Sequence, residues 1–132
     1  MELKEYFASA KGLGVLATSD DQGIVDAAVY AKPHFPEDGS IAFIMADRLT
    51  HHNLQTNGHA AYLFKENNPG YQGKRIFLTK IREEQDSDLL YSLRSKRYSS
   101  QKEEGKTLFL VFFKVDKVLP LIGAGEETED LD

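Results

Sequence analysis

The stretch from Ile41 to Leu63 constrains the fold more than any other part of the sequence, because a buried-strand pattern breaks there at a charged corner and a second strand pattern soon follows. Ile41, Phe43 and Met45 alternate with Ala42, Ile44 and Ala46, so both faces of the run are apolar, as in a strand covered on both sides. The pattern stops at Asp47. Asp47, Arg48 and Thr50 then offer two N-caps and a cation ahead of a helical pattern that sets Leu49, Asn53 and Leu54 near one face. Unpaired N–H groups at a helix start, beside a guanidinium and a hydroxyl, suit an anion such as a phosphate. The same residues also suit ordinary capping with a solvated arginine, and local chemistry leaves both readings open.

The rest of the chain supplies strands without regular helical crossovers. Leu3, Tyr6, Phe7 and Ala10 have helical spacing over residues 2–10, and Gly12 ends that helix. Leu13 to Ser19, a turn at Asp20-Asp21-Gln22-Gly23 and Ile24 to Ala31 read as a hairpin. The segment 32–40, with Pro33, Pro36 and Asp38-Gly39, is a loop into the strand at Ile41. His59 to Lys65 is a strand, residues 66–73 a glycine-bearing loop, and Arg75 to Arg82 another strand. Glu83 to Lys96 has a helical pattern, with Leu89, Leu90, Leu93 and Tyr91 apolar, Asp86 or Ser87 as cap, and Arg94, Lys96 and Arg97 at its C-terminal end. Thr107 to Val118 is the most strand-like run, and Pro120 ends it. Six strands and three short helices without regular βα alternation predict a mainly β (α+β) domain, a small antiparallel barrel rather than a doubly wound sheet.

Composition excludes several chemistries. A chain of 132 residues makes one domain, and the absence of cysteine removes disulfides, thiol nucleophiles and thiolate metal sites. The start of the sequence lacks signal-peptide character and no apolar run approaches a membrane span, so the expectation is a cytoplasmic protein without a membrane partner. A formal net charge of −5 argues against nucleic acid as a partner. Residues 121–132 read as an acidic, solvated tail through Glu126, Glu127, Glu129, Asp130 and Asp132. Metal is not expected: His51 and His52 point about 100° apart on a helix, and Gly58 separates His52 from His59. No Gly-x-Ser-x-Gly elbow appears, and Gly12-x-Gly14 leads into a strand rather than a helix, so neither a hydrolase nor a dinucleotide fingerprint is present.

The strand at Ile41, the run Arg48-Leu49-Thr50-His51-His52-Asn53-Leu54, the segment Gln55-Thr56-Asn57-Gly58-His59 with the strand at Ala60 to Phe64, and the run Gly70 to Lys80 together resemble the pyridoxamine 5′-phosphate oxidase-like, FMN-binding split-barrel family. The resemblance spans about residues 3–120 and implies a six-stranded antiparallel split β-barrel over residues 1–120 and FMN as cofactor. It also implies a homodimer with cofactor sites at the interface. Carried over by position, Asp26, Ala27, Ala28, Val29 and Tyr30 would run along the isoalloxazine, and Ile44, Met45 and Ala46 would approach the ring and ribityl chain. Arg48 and Thr50 would hold the phosphate, with Asn53 bracing the corner or touching the ribityl hydroxyls. Tyr71, Lys74 and Arg75 would close over the flavin or reach a partner's phosphate, or else form a charged strand entrance. Many members have lysine at or beside the position of Thr50; here Leu49 is apolar and Arg48 carries the charge. The implied function is a flavin-dependent oxidoreductase with an unknown small-molecule substrate. Pyridoxamine phosphate oxidase activity itself is not expected, because the substrate-binding C-terminal segment is missing. The alternatives are a flavin carrier or electron-transfer module, a dimeric binding protein without cofactor, or a haem or deazaflavin in the same barrel.

Overall fold

Asp20 forms the first corner of the molecule: its Oδ1 accepts from the N–H groups of Gln22 and Ile24 at 2.8 and 2.9 Å, and Gly23 takes φ +83°. That turn joins β1 (Gly12–Ser19) to β2 (Val25–Val29) as the expected antiparallel hairpin. The computed structural model describes residues 2–94 and 106–123. The expected acidic residues from Glu126 onward, and Lys96 and Arg97 at the end of the third helix, lie outside them. The remaining elements are α1 (Leu3–Ser9), β3 (Ile41–Ala46), α2 (Leu49–Thr56), β4 (His59–Glu66), β5 (Gly73–Gln85), α3 (Asp88–Leu93) and β6 (Leu108–Pro120).

The six strands form one antiparallel sheet in the order β2-β1-β4-β5-β6-β3, curled into a half-barrel with β2 and β3 at its edges. Register shifts between Phe77 and Leu78 and between Lys80 and Arg82 bend the long β5–β6 ladder. Alternation along the strands turns Leu16, Phe43, Met45, Tyr62, Phe64, Ile76, Leu78 and Phe113 inward, where they pack with Phe7 of α1. Each large side chain buried there contributes about 1.5–3 kcal/mol. A second cluster, Ala42, Leu90, Leu110 and Phe112, lies on the other face of β3 and β6, which is why β3 is apolar on both sides. The fully buried Tyr62 donates its hydroxyl to the carbonyls of Tyr30 and Ala31, fixing the chain where it leaves β2. Lys32 donates to Phe7 O and Ala10 O and ties the end of α1 to the same segment.

Two expectations change. Glu83 to Gln85 extend β5 instead of starting a helix, because they pair with Val111, Leu110 and Phe109 of β6. The helix begins after Ser87, whose hydroxyl accepts from Leu90 N as the expected cap. In α2, Leu49 is exposed, and the buried face is Thr50, His51, Asn53 and Leu54. Neither Asp47 nor Thr50 caps it: Arg48 is the N-cap residue and makes no side-chain cap.

His51 fastens α2 to the bent part of the sheet. Its ring stacks on Phe109 at 3.7 Å and its Nε2 lies 3.0 Å from Glu83 Oε2, while Lys80 and Gln55 also bond Glu83. Partial burial pushes the Glu83 carboxyl up, but the hydrogen bonds from Lys80, Gln55 and His51 outweigh it and bring it from 4.5 down to about 2. A carboxylate depressed in the folded state adds stability above its unfolded value, and that stability is lost as pH falls toward the folded one. Glu83→Gln is therefore expected to lower urea-unfolding stability by about 1–2 kcal/mol at neutral pH. The difference from the parent should shrink as pH falls from 4.5 to about 2; a constant difference would mean that the charge of Glu83 contributes nothing.

Candidate functional site

Along the free edge of β3, unpaired strand backbone stands beside a hollow. Ala42 bonds His34 through both its N–H and its C=O, so Ala42 turns these groups away from β6. The antiparallel ladder alternates, and the N–H and C=O of Ile44, two residues on, therefore point to the same free edge. Beyond Ala42 the bridge to His34 ends, and a cleft of about 330 Å³ opens, lined by Tyr30, Ala31, Lys32, His34, Phe43, Ile44 and Arg94. The Tyr30 ring meets Phe43 edge-on at 6.1 Å. Burial holds the His34 imidazole below its ordinary pKa, so it is neutral at neutral pH and offers one donor and one acceptor.

Along β2, period-two alternation turns Asp26, Ala28 and Tyr30 inward, because Asp26 and Ala28 sit opposite the buried Thr18 and Leu16. Ala27 and Val29 project from the opposite face, so their side chains do not border this cleft. Met45 points its side chain into the barrel core, and by the same alternation its N–H and C=O face β6, so neither reaches the free edge, whereas Ile44 lines the cleft. Asp26 Oδ2 lies 3.5 Å from Thr50 Oγ1, and Thr50 is buried. Burial raises the Tyr30 phenol above its ordinary value and Asp26 adds to this, while a hydrogen bond with Thr50 and the charge of Arg48 act against it. Tyr30, Asp26, Arg48 and Thr50, expected from separate stretches of sequence, thus meet at one corner. Asn53 donates to Thr18 Oγ1 at 3.1 Å and ties α2 to β1. Ala46 and Arg48 line an adjoining cleft of about 260 Å³ with Asp47, Lys106 and Thr107.

Tyr71, Lys74 and Arg75 do not join this corner within one chain. Ala46 pairs with Leu108 and Lys74 with Pro120, so they stand at opposite ends of β6, about 40 Å apart along the strand at about 3.3 Å per residue. Lys74 Nζ sits 4.6 Å over the Tyr6 ring, and Arg75 donates to the carbonyls of Pro120 and Gly123. Tyr71 is exposed beside a separate hollow. Sequence reasoning passed over His34, Arg94 and Lys106. The signal for Lys106 was an antiparallel pairing of the strand at Ile41 with the last strand, which brings the start of one beside the end of the other.

Among the described residues no cluster of three or more His, Asp or Glu could hold a metal, and no helix is long and apolar enough to cross a membrane. No protein-family model matches the sequence, and no curated protein matches it. Solved structures do match. HupZ of Group A Streptococcus is 17% identical with TM-score 0.69, the match covering 95% of this chain and 98% of that one. An FMN-binding protein from Syntrophomonas wolfei is 19% identical with TM-score 0.64, over 89% of this chain and 82% of that one. HutZ, the heme storage protein from Vibrio cholerae, is 18% identical with TM-score 0.61, over 95% of both chains. The curled six-stranded sheet and its short helices therefore place this chain in the FMN-binding type of split β-barrel, the fold of the pyridoxamine 5′-phosphate oxidase-like proteins.

Proposed function

We propose that the protein binds FMN at the free edge of β3 and works as a flavin-dependent oxidoreductase on a small-molecule substrate. The observation that carries this reading is the unpaired N–H and C=O of Ile44, opening beside a cleft walled by Tyr30 and Phe43 and four residues before Arg48. Those parts fit the ligand: an apolar wall for the ring, a backbone donor and acceptor for its polar edge, and a guanidinium for the phosphate. When bound, the flavin supplies the electron-transfer chemistry; Ile44 and Tyr30 orient it and Arg48 anchors it.

The protein acts as a homodimer in the cytoplasm, whose reducing conditions a cysteine-free chain suits. Support for the dimer comes from the outer face of β2, β1 and β4, where Val25, Val29, Val15, Ala17, Ala61 and Leu63 lie side by side. Val25 is 77% and Val29 69% exposed in the single chain, a contiguous apolar surface of the kind that partners cover.

Purified protein mixed with FMN and passed through gel filtration is expected to elute as a dimer with about one flavin per chain. Turnover with a reductant and an acceptor then distinguishes an enzyme from a flavin carrier. A haem is the second reading, favoured by the neutral His34 imidazole in the cleft and by the likeness to a heme storage protein. It predicts a Soret band on adding hemin and none of the flavin bands after adding FMN. Retention of neither group leaves a dimeric binding protein.

A further inference from the structure

The Thr50 hydroxyl is a poor seat for a phosphate in this chain. Asp26 Oδ2 already lies 3.5 Å from Thr50 Oγ1, so a phosphate bonded to that hydroxyl would face a carboxylate at close range in a half-buried corner. Like charges so placed repel strongly. A carboxylate beside a threonine hydroxyl is better matched to an alcohol, which donates to the one and accepts from the other. The ribityl chain of a flavin carries such hydroxyls.

A second cation for the phosphate is present on a different element. The β3–β6 ladder ends at Ala46 opposite Leu108, so the residues just before β6 lie beside those just after β3. Asp86 secures that end of β6, accepting from Leu108 N through Oδ1 at 3.0 Å while its own N–H donates to Leu108 O at 2.9 Å. As a result Lys106 and Arg48 line the same cleft of about 260 Å³. Asp47, the carboxylate on its described wall, lies 3.5 Å from His51 Nδ1. We propose that Lys106 is the second phosphate-binding cation: the flavin phosphate sits between Arg48 and Lys106, and Asp26 with Thr50 takes a ribityl hydroxyl. This rests on the flavin reading above. It gives the charge that relatives draw from a lysine near Thr50 another source, across the strand pair rather than along the helix.

The test is titration of the parent, Lys106→Gln and Asp26→Asn with FMN and with riboflavin, which lacks the phosphate, followed by flavin fluorescence. Lys106→Gln is expected to weaken FMN about ten-fold and leave riboflavin unchanged. Asp26→Asn is expected to weaken both flavins alike. Equal FMN affinity in Lys106→Gln and the parent overturns the assignment. A gain of FMN affinity in Asp26→Asn overturns it too, since that places the phosphate against Thr50. A parent that binds FMN and riboflavin equally removes Lys106 from the site but leaves flavin binding intact, whereas a parent that binds neither removes both.

Discussion

Arg48→Ala is expected to weaken FMN by about 1.5–3 kcal/mol, roughly ten- to a hundred-fold, while thermal unfolding of the ligand-free protein stays nearly unchanged. The two effects separate because of where Arg48 stands. It is the N-cap residue of α2, yet its side chain makes no cap, and it is exposed with no ion pair to a described residue. Removing it therefore takes little from the fold. What is lost is a guanidinium whose planar fork matches phosphate oxygens, at a helix start where the backbone favours an anion. Isothermal titration with FMN measures the first effect and differential scanning calorimetry the second. Unchanged FMN affinity would take Arg48 out of the site, and a large fall in unfolding temperature would make it structural.

The largest effect on the fold is expected from one methyl group. Gly14→Ala should cost about 3 kcal/mol or more and abolish flavin binding along with stability. A Cβ at Gly14 would overlap the hydroxyl and ring of Tyr62 and come within 2.7 Å of Tyr30 O. Tyr62 is completely buried among Phe7, Phe43 and Phe64, so its ring cannot swing clear. The Tyr62 hydroxyl also holds the carbonyls of Tyr30 and Ala31, and Gly14 O accepts from Tyr30 N at 3.0 Å. The strain therefore passes straight to the residue that walls the cleft. Urea unfolding checks the loss, and Tyr62→Phe in the same chain should recover part of it by removing the oxygen that clashes. A Gly14→Ala midpoint equal to the parent's would mean that the barrel yields at this point.

Most strands were legible because alternation is a local signal: β1 to β4 and β6 fall within two residues of the apolar runs. Glu83 to Gln85 show the limit. Three polar residues before a leucine-rich stretch look like a helix start, and only the distant partner strand, Phe109 to Val111, makes them a sheet edge. Leu49 misled for a similar reason: its helix packs on β1 and β2 through Thr50 and Asn53, a polar contact that a search for apolar periodicity ignores. Arg48 and Thr50 were readable as a corner because the end of a strand and the start of a helix are both written locally. That Thr50 turns toward Asp26, and that Lys106 lines one cleft with Arg48, depends on pairings across twenty to sixty residues. No local pattern encodes those pairings.

The Ile44 edge has a further consequence for how such a protein survives at high concentration. An exposed donor and acceptor on an edge strand, with apolar side chains on either side, is a template on which another chain can add a strand. Here the open length is kept short, closed at one end by His34 and at the other by Arg48 N bonding back to Ala46 O. A planar ligand that meets the Ile44 N–H and C=O would cover what remains. The proposed cofactor seat then coincides with an open stretch of sheet edge, so loading the ligand would also protect the chain from self-association.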